Sequence, residues 1–186
     1  LEVVLASIRE PADFSGLPVI RDDGVRMEAP SWARRLAEAG KGILFLDEIS
    51  TAPPAVQAAL LRVVLDRVVG DLPLPAGVAV VAAANPPEQA AGGWDLSAPL
   101  ANRFCHLSWS LDTQSWIDGM IQGFPVPSVP RLPDGWQGFI PASRGLVASF
   151  IRHRPHLLLQ VPASEDQAGK AWPSPRSWDM ASRLLA

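Results

Sequence analysis

The chain contains one cysteine, Cys105, and no tyrosine among its 186 residues. A single cysteine excludes an internal disulfide and indicates a reducing compartment. No apolar run approaches the roughly 20 residues that a transmembrane helix needs, and no basic segment followed by an apolar one resembles a secretory signal. We therefore expect a cytoplasmic protein that does not act in a membrane.

Positive charge is also scarce. The chain has 16 Lys and Arg residues and 19 Asp and Glu residues, which gives a net charge of -3. No cluster of basic residues forms a stripe. This argues against a nucleic-acid surface, so the seven tryptophans are interpreted as packing residues rather than a base-stacking platform. His106, His153 and His156 match no metal-ligand spacing with the lone cysteine.

What the sequence does contain is a folding composition, with 48% hydrophobic and 19% charged residues. Residues 42–50 read GILFLDEIS, an apolar run followed by Asp47 and Glu48. Such a run is typical of a buried parallel strand, and ligands bind at the carboxyl ends of strands in open α/β sheets. Asp47 could then hold Mg²⁺ through its water shell while Glu48 activates the water that attacks a γ-phosphate. The alternative is a strand that ends in two solvated acids.

The rest of the chain alternates in the same way. Apolar runs predict strands at residues 1–8, 78–85 and 104–110, and Asp23-Gly24 predicts a small hairpin at about 19–27. Helical periodicity predicts helices at 32–39 and 55–69. Strands that alternate with helices indicate a parallel sheet. We therefore predict an α/β core at 1–111, and a linker with a smaller, mostly helical lid at 112–186, where prolines concentrate.

Four features follow in a fixed order along the chain: the acidic pair, Asn85 after the next apolar strand, Arg103 before a further strand, and Arg176 in the C-terminal helix. This order resembles the AAA+ ATPase core, and in detail its MoxR branch. GILFLDEIS resembles Walker B, VVAAAN sensor 1, LSAPLANRF the arginine-finger segment and PSPRSW sensor 2. The hairpin at 19–27 lies where that clade carries its helix-2 insert.

The resemblance implies a role for each residue. Asp47 would coordinate Mg²⁺ and Glu48 would be the catalytic base, while Asn85 would position the attacking water. Arg103 would reach the ATP site of the adjacent subunit, and Arg176 would report the γ-phosphate to the lid. Each residue also has a plainer interpretation when taken alone. Asn85 could end a strand, Arg103 could be a surface arginine, and Arg176 could open a helix.

One expected motif is not present in these 186 residues. The resemblance implies a phosphate-binding loop, GxxxxGK[ST], and neither Gly40-Lys41-Gly42 nor Gly169-Lys170-Ala171 satisfies it. That loop supplies the backbone N–H groups and the lysine that hold the β- and γ-phosphates. We therefore expect an incomplete AAA+ αβα core, with the first strand and P-loop missing, that binds ATP weakly by itself. A truncated ATPase explains this, and so does a degenerate member of the family.

The implied function is ATP hydrolysis with Mg²⁺ in a homo-oligomeric ring, predicted to be a hexamer, which remodels or activates partner proteins in a chaperone-like way. The resemblance also implies a partner with a von Willebrand factor A domain and no nucleic-acid partner. Two alternatives remain. The chain could be an inactive scaffold built on the AAA+ fold, or a nucleic-acid motor, which its weakly acidic charge makes less favoured.

Overall fold

A computed structural model describes residues 1–85 and 94–186 of the chain. The chain forms two compact units. The first comprises Leu1–Phe104 with Val161–Trp172, and the second comprises Cys105–Gln160 with Pro173–Ala186. The predicted boundary between residues 111 and 112 stays a prediction. Asp47, Glu48, Asn85 and Arg103 belong to the first unit and Arg176 to the second.

The described elements are numbered in chain order. The strands are β1 (Glu2–Leu5), β2 (Leu17–Arg21), β3 (Gly24–Glu28), β4 (Lys41–Asp47), β5 (Val68–Val69), β6 (Leu72–Pro73) and β7 (Gly77–Ala82). The helices are α1 (Ala12–Ser15), α2 (Ser31–Ala39), α3 (Pro54–Asp66), α4 (Ala98–Ala101), α5 (Thr113–Gln122), α6 (Ile140–His153), α7 (Glu165–Ala168) and α8 (Pro175–Leu184). Helices α2 and α3 confirm the helices predicted at 32–39 and 55–69, although α3 ends at Asp66, and α8 confirms the C-terminal helix that contains Arg176.

The first unit is built on a three-stranded parallel sheet in the order β1-β4-β7. The central strand β4 pairs with β1 up to Leu5 opposite Asp47, and with β7 up to Leu46 opposite Ala82. The predicted α/β class with a parallel sheet is therefore confirmed. Because all three strands run the same way, their carboxyl ends meet at one edge, next to the acidic pair.

The buried core lies on one face of this sheet. Leu44 and Leu46 of β4 are fully buried in a cluster with side chains of α2 and α3, among them Leu36 and Leu60. On the opposite face the apolar side chains keep substantial exposure, with 57% for Val3 and 42% each for Ile43 and Val81. In the described residues, therefore, only one face of β4 is well covered by helices. Its apolar run predicts that both faces are covered. The reason is that α2 and α3 both contribute to the same cluster.

The hairpin of β2 and β3 is antiparallel and pairs Leu17 with Glu28 at its base and Arg21 with Gly24 at its tip. Its turn is therefore Asp22-Asp23, one residue earlier than the predicted Asp23-Gly24. This register sets Ile20 opposite Val25, a β-branched pair that favours strand pairing. Whether the hairpin is a helix-2 insert stays a prediction.

The prediction of a strand at 104–110 is wrong. Residues 105–110 have no strand conformation, and Leu107 and Trp109 are 88% and 95% exposed. Apolar alternation favours a strand only where a neighbouring strand accepts its hydrogen bonds, and in the described ranges this segment has no such partner.

The second unit is mainly helical, as the sequence predicts for the C-terminal part. Helix α8 begins with a capping box, in which Ser174 and Ser177 bond each other's backbone N–H groups. Helices α6 and α8 pack through Phe150 and Trp178, whose ring centroids lie 5.5 Å apart. Within residues 1–85 and 94–186, none of the helices has the length and apolarity that crossing a membrane requires.

Candidate functional site

The candidate site begins where β4 ends. Asp47 is the last residue of the strand, and Glu48 follows with φ 52° and ψ 40°, a left-handed conformation that glycine adopts more readily than glutamate. Neighbouring bonds hold this conformation in place. The carbonyl of Glu48 accepts bonds from both the N–H and the hydroxyl of Thr51, at 3.0 and 2.9 Å, and Ile49 N–H donates to the Ala83 carbonyl at 3.0 Å.

The two carboxylates are also oriented. Asp47 Oδ1 accepts a bond from the backbone N–H of Glu48 at 3.0 Å, and Glu48 Oε2 accepts one from Ser7 Oγ at 2.8 Å. Across the described part of the chain, neither carboxylate forms an ion pair. Each therefore keeps an oxygen that can bind a hydrated cation or a water molecule.

Sequence reasoning missed Ser7. It lies two residues beyond the end of β1, the strand that neighbours β4, and it is 41 residues from Glu48 along the chain. The signal that could have revealed it is positional. A hydroxyl that follows a strand adjacent to the acidic strand falls at the same edge of a parallel sheet.

Asn85 lies three residues beyond β7, so the strand predicted to run to residue 85 ends at Ala82. The Asn85 side chain is exposed, and the Asn85 backbone carbonyl accepts a hydrogen bond from Ser50 Oγ at 3.3 Å. The adjacent backbone is joined to β4 as well, because Ala83 N–H donates to the Leu46 carbonyl at 2.9 Å. The structure thus brings the backbone of Asn85 alongside the segment that carries Asp47 and Glu48.

The two predicted arginines lie elsewhere. Arg103 follows α4 in the first unit, is half-buried, and donates from its guanidinium to the Pro99 carbonyl. Arg176 is exposed in the first turn of α8, which belongs to the second unit. The structure therefore brings the backbone of Asn85 close to Asp47 and Glu48 and does not bring Arg103 or Arg176 there. The roles of all five residues stay predictions.

The donor set at this edge fits Mg²⁺. The cation prefers hard oxygen ligands and reluctantly gives up its waters, so one or two carboxylates with water and phosphate oxygens suffice. The described residues hold no cluster of three or more His, Cys, Asp or Glu side chains that could enclose a metal ion. The phosphates themselves would need further N–H donors, because the GxxxxGK[ST] motif is not found in this sequence.

These features define a class: an α/β domain with an oriented acidic pair at the carboxyl edge of its parallel sheet. Residues 31–92, a third of the 186-residue chain, match the family described as the Sigma-54 interaction domain, which is an AAA+ family. This range includes α2, β4, α3 and β7. The acidic pair and Asn85 thus lie in the segment that this family model matches.

Individual proteins resemble the chain over different shares of its length. The Psp operon transcriptional activator of Escherichia coli (strain K12) is 49% identical over 55 residues, which are 27% of this chain and 17% of that protein. A candidate ATPase from Cytophaga hutchinsonii is 18% identical, with a TM-score of 0.45, over 89% of this chain and 58% of that one. A full-length MCM homolog from Methanopyrus kandleri is 19% identical, with a TM-score of 0.47, over 100% of this chain and 40% of that one. The chain thus spans less than two thirds of each of these proteins.

Proposed function

We propose that this chain provides the Walker B and sensor 1 part of an AAA+ site that hydrolyses ATP. The observation that carries the proposal is the central strand of the sheet, which ends in Asp47 and in a Glu48 fixed by bonds from Ser7 and Thr51. Its location inside the segment that matches the Sigma-54 interaction domain supports the same assignment. The nucleotide is the substrate, and Mg²⁺ is the cofactor.

In this proposal the two carboxylates have separate tasks. Asp47 holds Mg²⁺, which when bound neutralises charge on the phosphate oxygens. Glu48 accepts a proton from the attacking water, and the bond from Ser7 Oγ fixes the orientation of its carboxylate. The Asn85 amide orients that water from the segment that follows the neighbouring strand β7. The bond between Ser50 and the Asn85 carbonyl keeps the two strand ends together.

The MoxR-like arrangement extends the proposal beyond one subunit. Arg103 acts in the ATP site of the adjacent subunit of a ring, and Arg176 couples the γ-phosphate to the lid. The ring works in the cytoplasm as a chaperone-like remodeller of partner proteins, one of which carries a von Willebrand factor A domain. The exposed Cys105 suits a reducing compartment.

A second candidate is an activator that binds the sigma-54 factor. It is favoured by the match of residues 31–92 and by the identity with a transcriptional activator. Purified sigma-54 factor and a purified von Willebrand factor A domain distinguish the two. The remodeller should retain the latter in an ATP-dependent manner and leave the former unbound, and the reverse pattern would favour the activator.

The catalytic assignment is tested by Asp47→Asn in the natural protein that contains this sequence. We expect Mg²⁺-dependent phosphate release to fall by about a hundredfold or more, because the variant lacks the charged oxygen that holds the cation. Asp66→Asn is the matched control, since Asp66 is an exposed carboxylate at the end of α3, and it should leave the rate within about twofold.

Two results contradict the proposal. One is a natural protein that releases no phosphate from ATP, and the other is an Asp47→Asn variant as active as Asp66→Asn.

A further inference from the structure

Gln57 is a polar side chain in an apolar place. It lies in the first turns of α3 and is only 2% exposed, and its amide is fully engaged with backbone groups. Its Nε2 donates to the Ala52 carbonyl at 3.1 Å and to the Asp95 carbonyl at 3.2 Å, while its Oε1 accepts from the Ser97 N–H at 2.8 Å. Because hydrogen bonds depend on angle, a buried amide bonded in this way fixes the orientation of the backbone groups around it, which an apolar side chain does not do.

Two of these bonds reach the segment that leads into α4. Asp95 and Ser97 precede the helix, and Ser97 is its N-cap residue. The Ser97 carbonyl in turn accepts bonds from the N–H groups of Leu100 and Ala101, both at 2.9 Å. Gln57 therefore fixes the position of the residues that begin the short helix α4, and Arg103 follows that helix.

The other end of α4 is held by a second buried amide. Asn102 is 5% exposed and donates from Nδ2 to the Trp172 carbonyl at 3.2 Å, within the first unit. Between the two amides, Leu100 and Ala101 are fully buried. Burial of apolar side chains holds α4 against the core without fixing its direction, because the hydrophobic effect is not directional. The amides supply that direction.

We propose that Gln57 is a positioning residue for Arg103: it sets where α4 lies, and thereby where the Arg103 guanidinium is presented. This inference rests on the proposed function in one respect, since Arg103 matters for turnover only if the protein hydrolyses ATP in a ring. The hold of Gln57 on the segment is independent of that activity and is measured separately.

The structural measurement is backbone hydrogen exchange of Gln57→Met, which keeps a side chain of similar length and removes the amide. The N–H groups of Ser97, Leu100 and Ala101 should exchange about tenfold faster, which corresponds to the loss of a typical buried hydrogen bond. Those of β4 should not change. Gln114→Met is the matched control, because Gln114 is an exposed glutamine on α5, and it should alter none of these rates.

Gln57→Leu provides a second variant that also lacks the amide and differs from Gln57→Met in the shape of its apolar side chain. Faster exchange of the Ser97, Leu100 and Ala101 N–H groups in both variants would assign the effect to the lost hydrogen bonds. Unchanged exchange around α4 in both variants overturns the proposal. So does global unfolding of both variants, because Gln57 would then support the whole core rather than this segment.

The functional measurement is a double-mutant cycle in the natural protein. Gln57→Met should lower kcat for ATP and leave KM unchanged, and it should have no further effect on kcat in an Arg103→Ala background. Independent, multiplicative effects overturn the idea that Gln57 acts through Arg103. If Arg103→Ala alone leaves kcat unchanged, the proposed role of Arg103 fails, while the exchange data still decide whether Gln57 positions the segment.

Discussion

At the scale of single residues, Glu48 combines a reactive group with an unfavourable backbone. Among the described non-glycine residues only Glu48 and Arg67 have positive φ, at 52° and 57°. A left-handed conformation costs an L-residue roughly 1–2 kcal/mol, and such costs concentrate at functional sites. At Glu48 the bonds from Thr51 to the carbonyl and from Ser7 to the carboxylate offset this cost.

This strain can be measured with two variants that both lack the carboxylate. Glu48→Gly relieves the backbone and Glu48→Ala keeps it strained, while both lose the bond to Ser7. We expect the free energy of unfolding, from urea titration, to be about 1 kcal/mol higher for the glycine variant. An alanine variant of equal or greater stability would show that the left-handed conformation stores no strain.

The site could be predicted from the sequence only where its residues are neighbours in the chain. The pair Asp47 and Glu48 follows directly from an apolar run and a change to acidic residues. Ser7 and Gln57 act on residues 41 and 40 positions away, through strand order and helix packing that no local pattern contains. Their side chains are also common polar types, which are mostly unremarkable in sequence.

At the scale of elements, hydrogen bonds join the base of the β2–β3 hairpin to the turn between β5 and β6. Asp71 N–H donates to the Met27 carbonyl at 2.9 Å, and Asp71 Oδ2 accepts from Met27 N–H at 2.8 Å. The approach is close enough to require glycine. A Cβ on Gly70 would lie 2.3 Å from the Met27 carbonyl oxygen, and the φ of Gly70 is +59°.

Gly70→Ala should therefore lower the free energy of unfolding by about 2 kcal/mol or more, because it adds a collision to an unfavourable φ. Gly40→Ala isolates the second effect: Gly40 has φ +69°, and its Cβ would meet nothing within 4 Å. Its cost should be about 1 kcal/mol. Equal losses for the two variants, measured by chemical denaturation, would mean that the hairpin base yields without resistance.

Helix α2 is tied to the edge strand β1 by a two-pronged ion pair. Arg35 Nε and Nη2 donate to the two oxygens of Glu2 at 2.7 and 2.6 Å. These hydrogen bonds lower the pKa of Glu2 below its ordinary value of 4.5. The unfolded chain then binds this proton more readily than the folded one, so the pair stabilises the fold above pH 4.5.

That stabilisation should be lost as the pH falls from 4.5 through the lowered pKa of the folded protein. Glu2→Gln should accordingly be less stable than the unaltered chain at pH 7, and the difference should disappear in acid. Glu10→Gln, which changes an exposed carboxylate in a loop, serves as the control. A difference between Glu2→Gln and the unaltered chain that is the same at pH 7 and pH 2 would contradict the role of the ion pair.

The elements themselves were predictable where local signals suffice. Gly40 in the left-handed conformation ends α2, and Pro54 opens α3, as their sequence positions predict. Strand pairing was harder, because it depends on distant partners. Residues 104–110 have the apolar pattern of a strand and do not form one. The hairpin turns at Asp22-Asp23, one residue earlier than predicted, because Arg21 pairs with Gly24.

At the scale of the whole molecule, alternation of strands and helices was enough to predict the parallel α/β class and the edge that bears the acidic pair. It could not predict the position of Arg176, because this residue lies in the second unit and a short sequence motif does not show how that unit is arranged. The residues proposed to bind Mg²⁺ and activate water lie in the first unit, at the edge where the strands in the order β1-β4-β7 end.

The most direct test of these proposed roles is ATP binding and hydrolysis by Glu48→Gln in the natural protein that contains this sequence. The substitution keeps the size and hydrogen-bonding capacity of the side chain and removes the base. We expect the variant still to bind ATP, measured by equilibrium binding, and to release phosphate at least about a hundredfold more slowly. Phosphate release at the unaltered rate would contradict this expectation.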